Sequence, residues 1–215
     1  MHRLRVRFSR GQELKFISHL DIMRLWQRAF HRAGIPLAYS EGFSPHPRIS
    51  LAAPLPVGVT SETELMDVFC TRWSSPHLFT TAVGQQLPTG IEILQVYPIA
   101  PTMPSLQSQI RYAEYKVEVT TEKGRQDAET ALTNLLLVKQ LPWQHQRDTG
   151  PRNYDLRALI DDLWLIDWHS GTVNIGMRLR CDSGGAGRPE QVITAMGFSN
   201  YPRSIHRNKL ILKTS

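Results

Sequence analysis

The hydrophobic pattern runs twice through the same order of elements: strand, helix, strand, strand, helix, strand. That order is the split βαβ or ferredoxin-like pattern, and two tandem copies are the simplest parse of the repetition. In the first copy, residues 3–9 (RLRVRFS) alternate, with Leu4, Val6 and Phe8 on one face and Arg3, Arg5 and Arg7 on the other, which predicts a half-buried strand. After a turn at Gly11-Gln12, Ser18 is placed as an N-cap and Asp21 completes a capping-box pattern. The helix then runs to Ala33 and stops at Gly34, with Ile22, Leu25, Trp26, Ala29 and Ala33 as its apolar stripe. ISLAAPLPV reads as extended, residues 58–63 as a turn, and ELMDVFCTR as a strand with Leu65, Asp67 and Phe69 on one face. A helix opening at Pro76 and ending before Pro88, then the strand IEILQVYPI, complete the copy.

Residues 100–111 (APTMPSLQSQIR) are rich in Pro, Ser and Gln and read as a linker. The second copy follows. AEYKVEVT is a strand, GRQDAETALTNLLL a helix, and KQLPWQHQR an extended piece that Pro142 confines to an edge. YDLRALIDDLWLIDW is part helix and part strand, and TVNIGMRLRC turns Val173, Ile175, Met177 and Leu179 inward. RPEQVITAMG is a helix and SIHRNKLILK the last strand. The predicted architecture is α+β, with two tandem ferredoxin-like (split βαβ) units carrying antiparallel sheets, at 1–99 and 112–215.

Composition narrows the function classes. With 41% hydrophobic and 20% charged residues the chain has the balance of a folded protein rather than a disordered one. No window of 18 apolar residues predicts a membrane span, and the N-terminus has no apolar leader, which predicts a cytoplasmic protein. Two cysteines, Cys70 and Cys181, are too few for a zinc or iron–sulfur motif and read as buried thiols, so no cofactor is expected. The net charge of +6 lies in the first fifty residues, which hold nine Lys/Arg against three acids. Such a bias attracts phosphate or another acidic partner, although a solvated basic face would look the same.

Four features carry possible chemistry. Arg24, Arg28 and Arg32 recur at i, i+4 and i+8 and stack on one helix face. His19, at the helix start, is required neither by the cap nor by the apolar stripe and is a candidate hydrogen-bond donor to a phosphate or a general acid/base. In the loop GFSPHPR, two prolines stiffen the backbone around His46, Phe43 is placed to stack on a base and Arg48 to pair with a phosphate. A rigid turn with Phe43 packed inside is the simpler alternative. The segment SGGAGRP, ending in Arg188 and Pro189 before a helix, is a weak phosphate-cradle candidate without a P-loop lysine. His19, Asp21, Glu41 and His46 have metal-ligand chemistry, but their spacing does not demand a metal and none is expected. Asp155 and Arg157 are expected to form a structural ion pair, and Arg147, Arg152, Arg203 and Arg207 to add to a basic groove between the halves.

The stretch from Phe16 to Val68 (FISHLDIMRLWQRAFHRAGIPLAYSEGFSPHPRISLAAPLPVGVTSETELMDV) resembles the radical SAM-linked proteins, a bacterial domain of unknown function. AEYKVEV, YDLRALI and RPEQVITAM extend the resemblance more loosely to the whole chain. The resemblance implies a companion of a cobalamin-type radical SAM enzyme. Lacking that enzyme portion and its cysteines, this chain reads as the stand-alone form, with a separately encoded radical SAM enzyme as partner. The element order is also analogous to RAMP-type RNA-binding proteins of CRISPR systems. Three functions are therefore open. The first is an accessory protein binding RNA or another anion through Arg24, Arg28, Arg32, Phe43, Arg48 and Arg188. The second is an RNA-cleaving or RNA-modifying enzyme using His19 and His46, and the third a protein-only adaptor.

Overall fold

The computed structural model describes residues 1–147 and 150–213, and Arg147 by its backbone alone. The alternation at the N-terminus forms β1 (His2–Arg10), whose Leu4, Val6 and Phe8 enter the core. Then follow α1 (His19–Arg32), β2 (Ile49–Leu51), β3 (Val59–Cys70), α2 (Pro76–Gly84), β4 (Ile91–Ile99) and the short α3 (Leu106–Gln109). These elements belong to one unit, Met1–Ile110 with the last residues from Leu212, and Arg111–Ile211 make a second.

In the first unit the sheet order is β2-β3-β1-β4, with every neighbouring pair antiparallel. α1 and α2 therefore each join two strands that have a third between them. α1 links β1 to β2 across β3, and α2 links β3 to β4 across β1. α1 packs Ile22, Trp26, Ala29 and Phe30 against Met66, Val68 and Cys70, and Phe8, Trp26, Phe30 and Phe79 form a chain of rings at 4.9–5.6 Å. Phe30, absent from the expected stripe, is completely buried. Residues 59–63, expected as a turn, lie in β3, with only Gly58 (φ +85°) left to make the bend.

The opposite face of β1 and β3 departs most from expectation. Alternation suggested a solvated arginine face, but Arg3 and Arg5 are 3% and 2% exposed and converge on the fully buried Asp67. Arg3 also donates to the carbonyls of Met103 and Pro104, and Arg5 to Gln109. The segment expected as a linker thus supplies α3 and its buried Leu106 and covers this face. Alternation reports two faces of different chemistry; it does not report whether a later segment covers the polar one.

The second unit comprises β5 (Ile110–Thr120), α4 (Arg125–Leu137), β6 (Pro142–Arg147), β7 (Gly150–Asp155), β8 (Ile160–His169), β9 (Thr172–Asp182), β10 (Gly185–Ala186), α5 (Pro189–Ala195) and β11 (Ser204–Leu212). Its main sheet runs β8-β9-β5-β11, the same skipping pattern as in the first unit. Val173, Ile175, Met177 and Leu179 are completely buried, as their alternation predicts. The unit adds two pieces: β6 and β7 pair as a separate antiparallel hairpin between α4 and β8, and the short β10 pairs with β9. Asp155 and Arg157 do not pair. The Asp155 carboxylate accepts from the backbone N–H groups of Leu141 and Arg157, while the Arg157 guanidinium binds the carbonyls of Leu136 and Ile160. Cys70 is buried as expected, but Cys181 is only half-buried. Among the described residues, no helix is long and apolar enough to cross a membrane.

Candidate anion-binding surface

α1 begins as its sequence dictates. The Ser18 hydroxyl accepts from the Asp21 N–H at 3.2 Å and donates to the Asp21 carboxylate at 2.7 Å. That hydrogen bond, followed by Arg24 at 3.3 Å, holds the exposed Asp21 carboxyl below its ordinary value. Before the helix, the buried Arg10 binds the carbonyls of Leu14, Lys15 and Ile17 through Nε and Nη2, which fixes the turn leading into α1.

With α1 so anchored, its outer face presents Arg24, Arg28 and Arg32 along one groove of about 740 Å³. Leu14, Ile17 and Leu25 floor one side, and the turn Gln85–Pro88 after α2 forms the other wall. Four residues of helix advance about 6 Å, so the three guanidinium groups make a row rather than a point. Arg32 is held by the Gln86 side chain and carbonyl at 3.2 and 2.8 Å, Arg24 is paired with Asp21, and Arg28 forms no ion pair among the described residues. The Gln85–Pro88 wall was not foreseen, because only the packing of α2 beside α1 brings it there.

The remaining candidates occupy other settings. His19 is half-buried and lines a small cavity with Arg10, Ile22 and the buried Glu64. His46 is exposed on the loop after α1, where Ser40 bonds its backbone N–H and carbonyl. Phe43, on the same loop, is fully exposed, so it is not the packed ring of a rigid turn. Arg48 lies over the Phe69 ring at 4.6 Å and donates to the Met1 sulfur. The cavity that His19 lines does not include His46, and no group of metal-ligating side chains occurs among the described residues.

Arg188 lies in the second unit, after the glycine-rich turn. That turn is not an open phosphate cradle. The N–H of Gly184 is taken by Asp182 and that of Gly187 by the Arg180 carbonyl, while Gly185 and Ala186 pair with β9. Its glycines answer to close packing instead. A Cβ at Gly187 would lie 2.9 Å from Leu179 Cβ and 3.0 Å from the Leu159 carbonyl oxygen, and one at Gly185 2.7 Å from the Leu159 side chain. Of the other expected basic residues, Arg207 is fully buried and Arg203 faces Glu118 at 3.6 Å.

The chain is similar in fold to one chain of a solved Cbf5–Nop10–Gar1 complex, at a TM-score of 0.52 and 7% identity, covering 97% of this chain and 48% of that one. A chain from an H/ACA RNP bound to a substrate RNA containing 2′-deoxyuridine gives a TM-score of 0.48 at 7% identity, over 97% of this chain and 47% of that one. This protein thus spans about half the length of these two solved chains. The first likeness supports a mixed α+β fold with a mostly antiparallel sheet and nothing more specific. No curated protein matches. The profile of the family described as "Uncharacterized protein conserved in bacteria (DUF2344)" aligns with residues 3–189, most of the length, and the chain belongs to that family.

Proposed function

We propose that this protein is a non-catalytic accessory of a radical SAM enzyme and that it holds RNA along α1. One observation carries the binding reading: Arg24, Arg28 and Arg32 line a single open groove with an apolar floor. A row of guanidinium groups suits the repeated charge of a polyanion better than a single small ion. The fully exposed Phe43, on the loop that follows α1, supplies a stacking surface of the kind single-stranded nucleic acids use. The radical SAM partner rests on the resemblance of residues 16–68. The different settings of His19 and His46 favour binding over an acid/base pair. We read both units as ferredoxin-like, since the orders β2-β3-β1-β4 and β8-β9-β5-β11 skip strands in the same way.

Fluorescence anisotropy with a labelled single-stranded RNA tests this reading. Three phosphate contacts give a plot of log affinity against log salt with a slope of about −2. Replacing Arg24, Arg28 and Arg32 by Gln should flatten that slope and weaken binding at low salt, with the melting temperature unchanged. Absence of binding by the native protein at low salt refutes the RNA reading. Failure to co-purify with a co-expressed radical SAM enzyme from the same genome refutes the partner.

A further inference from the structure

The second unit contains a cavity of about 220 Å³ that lies apart from the α1 groove in sequence and owes nothing to it. The inserted β6–β7 hairpin forms one side and the turn at Gly184–Ala186 the other. Along the hairpin, His145 stands opposite Arg152 and Trp143 opposite Tyr154, so these four side chains share one face. His145, Arg152 and Tyr154 line the cavity, and Arg180 and Arg188 enter from across it. Three arginines therefore face one lining carboxylate, Asp155, one of whose oxygens is engaged by the N–H groups of Leu141 and Arg157.

The arginines are held to different degrees. Arg180 is fixed by Asp182 through contacts of 2.9 and 3.0 Å, and the bare Gly184 gives its guanidinium room to lie over the turn. Arg188 is loosely paired with Glu190 at 3.9 Å. Arg152 makes no ion pair among the described residues and lies 6.0 Å from the centre of the Tyr154 ring. The Tyr154 hydroxyl is tied to Gln191, which sets the ring in place. A pre-positioned ring beside two under-used guanidinium groups is the arrangement that recognises a phosphate joined to a planar base.

We propose that this cavity binds a nucleoside monophosphate, with Arg152 and Arg188 on the phosphate and the Tyr154 ring against the base. The ligand is a small molecule or the terminal nucleotide of a strand, two sources of the same chemistry. The site is independent of the α1 reading, and its failure is distinguishable from failure of that reading.

Isothermal titration with AMP, inorganic phosphate and adenosine on the full chain tests the proposal. AMP should bind more tightly than phosphate or adenosine. Arg152→Ala and Arg188→Ala should each weaken AMP roughly ten-fold, as expected for loss of a charge-assisted hydrogen bond. Tyr154→Phe keeps the ring but frees it from Gln191 and should weaken AMP less than Tyr154→Leu, which should lose the preference for AMP over phosphate. Replacing Arg24, Arg28 and Arg32 by Gln should leave AMP binding unchanged. A 5′-phosphorylated dinucleotide that binds at least as tightly as AMP identifies a strand end as the source; weaker binding identifies the free nucleotide. No heat or displacement with AMP at millimolar concentration overturns the proposal. So does equal affinity for AMP and phosphate, or AMP binding unaffected by both arginine variants while their unfolding curves match that of the native protein.

Discussion

Removing Asp67 is expected to be the most damaging single substitution in the first unit. Its carboxylate is fully buried and receives Arg5 as a fork, Nε on one oxygen at 2.8 Å and Nη2 on the other at 3.0 Å. Arg3 adds Nε at 3.0 Å and Nη2 on the same oxygen as the second Arg5 contact. Burial disfavours the charged Arg5 side chain, yet the hydrogen bonds and charge of Asp67, helped by Tyr97, outweigh it and raise the Arg5 pKa. Asp67→Ala would leave two guanidinium groups in a dry interface with no counter-charge. Breaking a buried pair from one side costs about 3–5 kcal/mol. For a chain of this size that lowers the unfolding midpoint by roughly 6–20 °C. Thermal and urea unfolding of the purified variant measure it. The reasoning also predicts that replacing the whole cluster (Arg3→Met, Arg5→Met, Asp67→Leu) is less harmful than Asp67→Ala alone, because no charge is then stranded. A loss below about 1 kcal/mol for Asp67→Ala, or a triple variant less stable than the single one, would refute the account.

Three further outcomes follow from local geometry. Burial raises the Cys70 thiol, so the stability this neutral thiol contributes is full below the unfolded thiol's pKa and is lost as the pH rises through the raised native value; at mildly alkaline pH a thiol reagent should modify only Cys181 in the native protein and both cysteines after denaturation, and equal native reactivity would contradict the packing. Because Ser18 and Arg24 lower the Asp21 pKa, the helix-start interaction is present above the unfolded carboxylate's value and is lost as the pH falls through the lowered native one; an NMR titration should place Asp21 at a higher midpoint in Ser18→Ala than in the native protein, and an identical midpoint would remove Ser18 as the cause. A Cβ at Gly176 would overlap the Trp164 ring at 1.9 Å, so Gly176→Ala should displace that indole, alter its fluorescence and cost about 1–3 kcal/mol; native-like stability would show that β8 yields freely.

Much of the fold is legible along the chain because its signals are local. The alternation in β9, the Ser18 cap and the stop at Gly34 (φ +67°) each involve residues within one or two turns of one another. The arginine row on α1 is legible for the same reason, since helical spacing alone puts Arg24, Arg28 and Arg32 on one face. The β6–β7 hairpin is less so. Pro142 shows that the segment is not a central strand, but pairing His145 with Arg152 depends on register, which no short window contains.

Sequence by itself thus determined the periodicity, the caps, the doubled element order and the identity of the charged groups, all properties of neighbours along the chain. Tertiary structure alone decided which charges meet water. Arg3 and Arg5 carry the same side chain as Arg24 and Arg28, yet distant carbonyls and Asp67 enclose the first two while the two on α1 remain open. The physical reason is that burial of an ion is settled by its partners, and these partners are brought by segments 62 to 104 residues away.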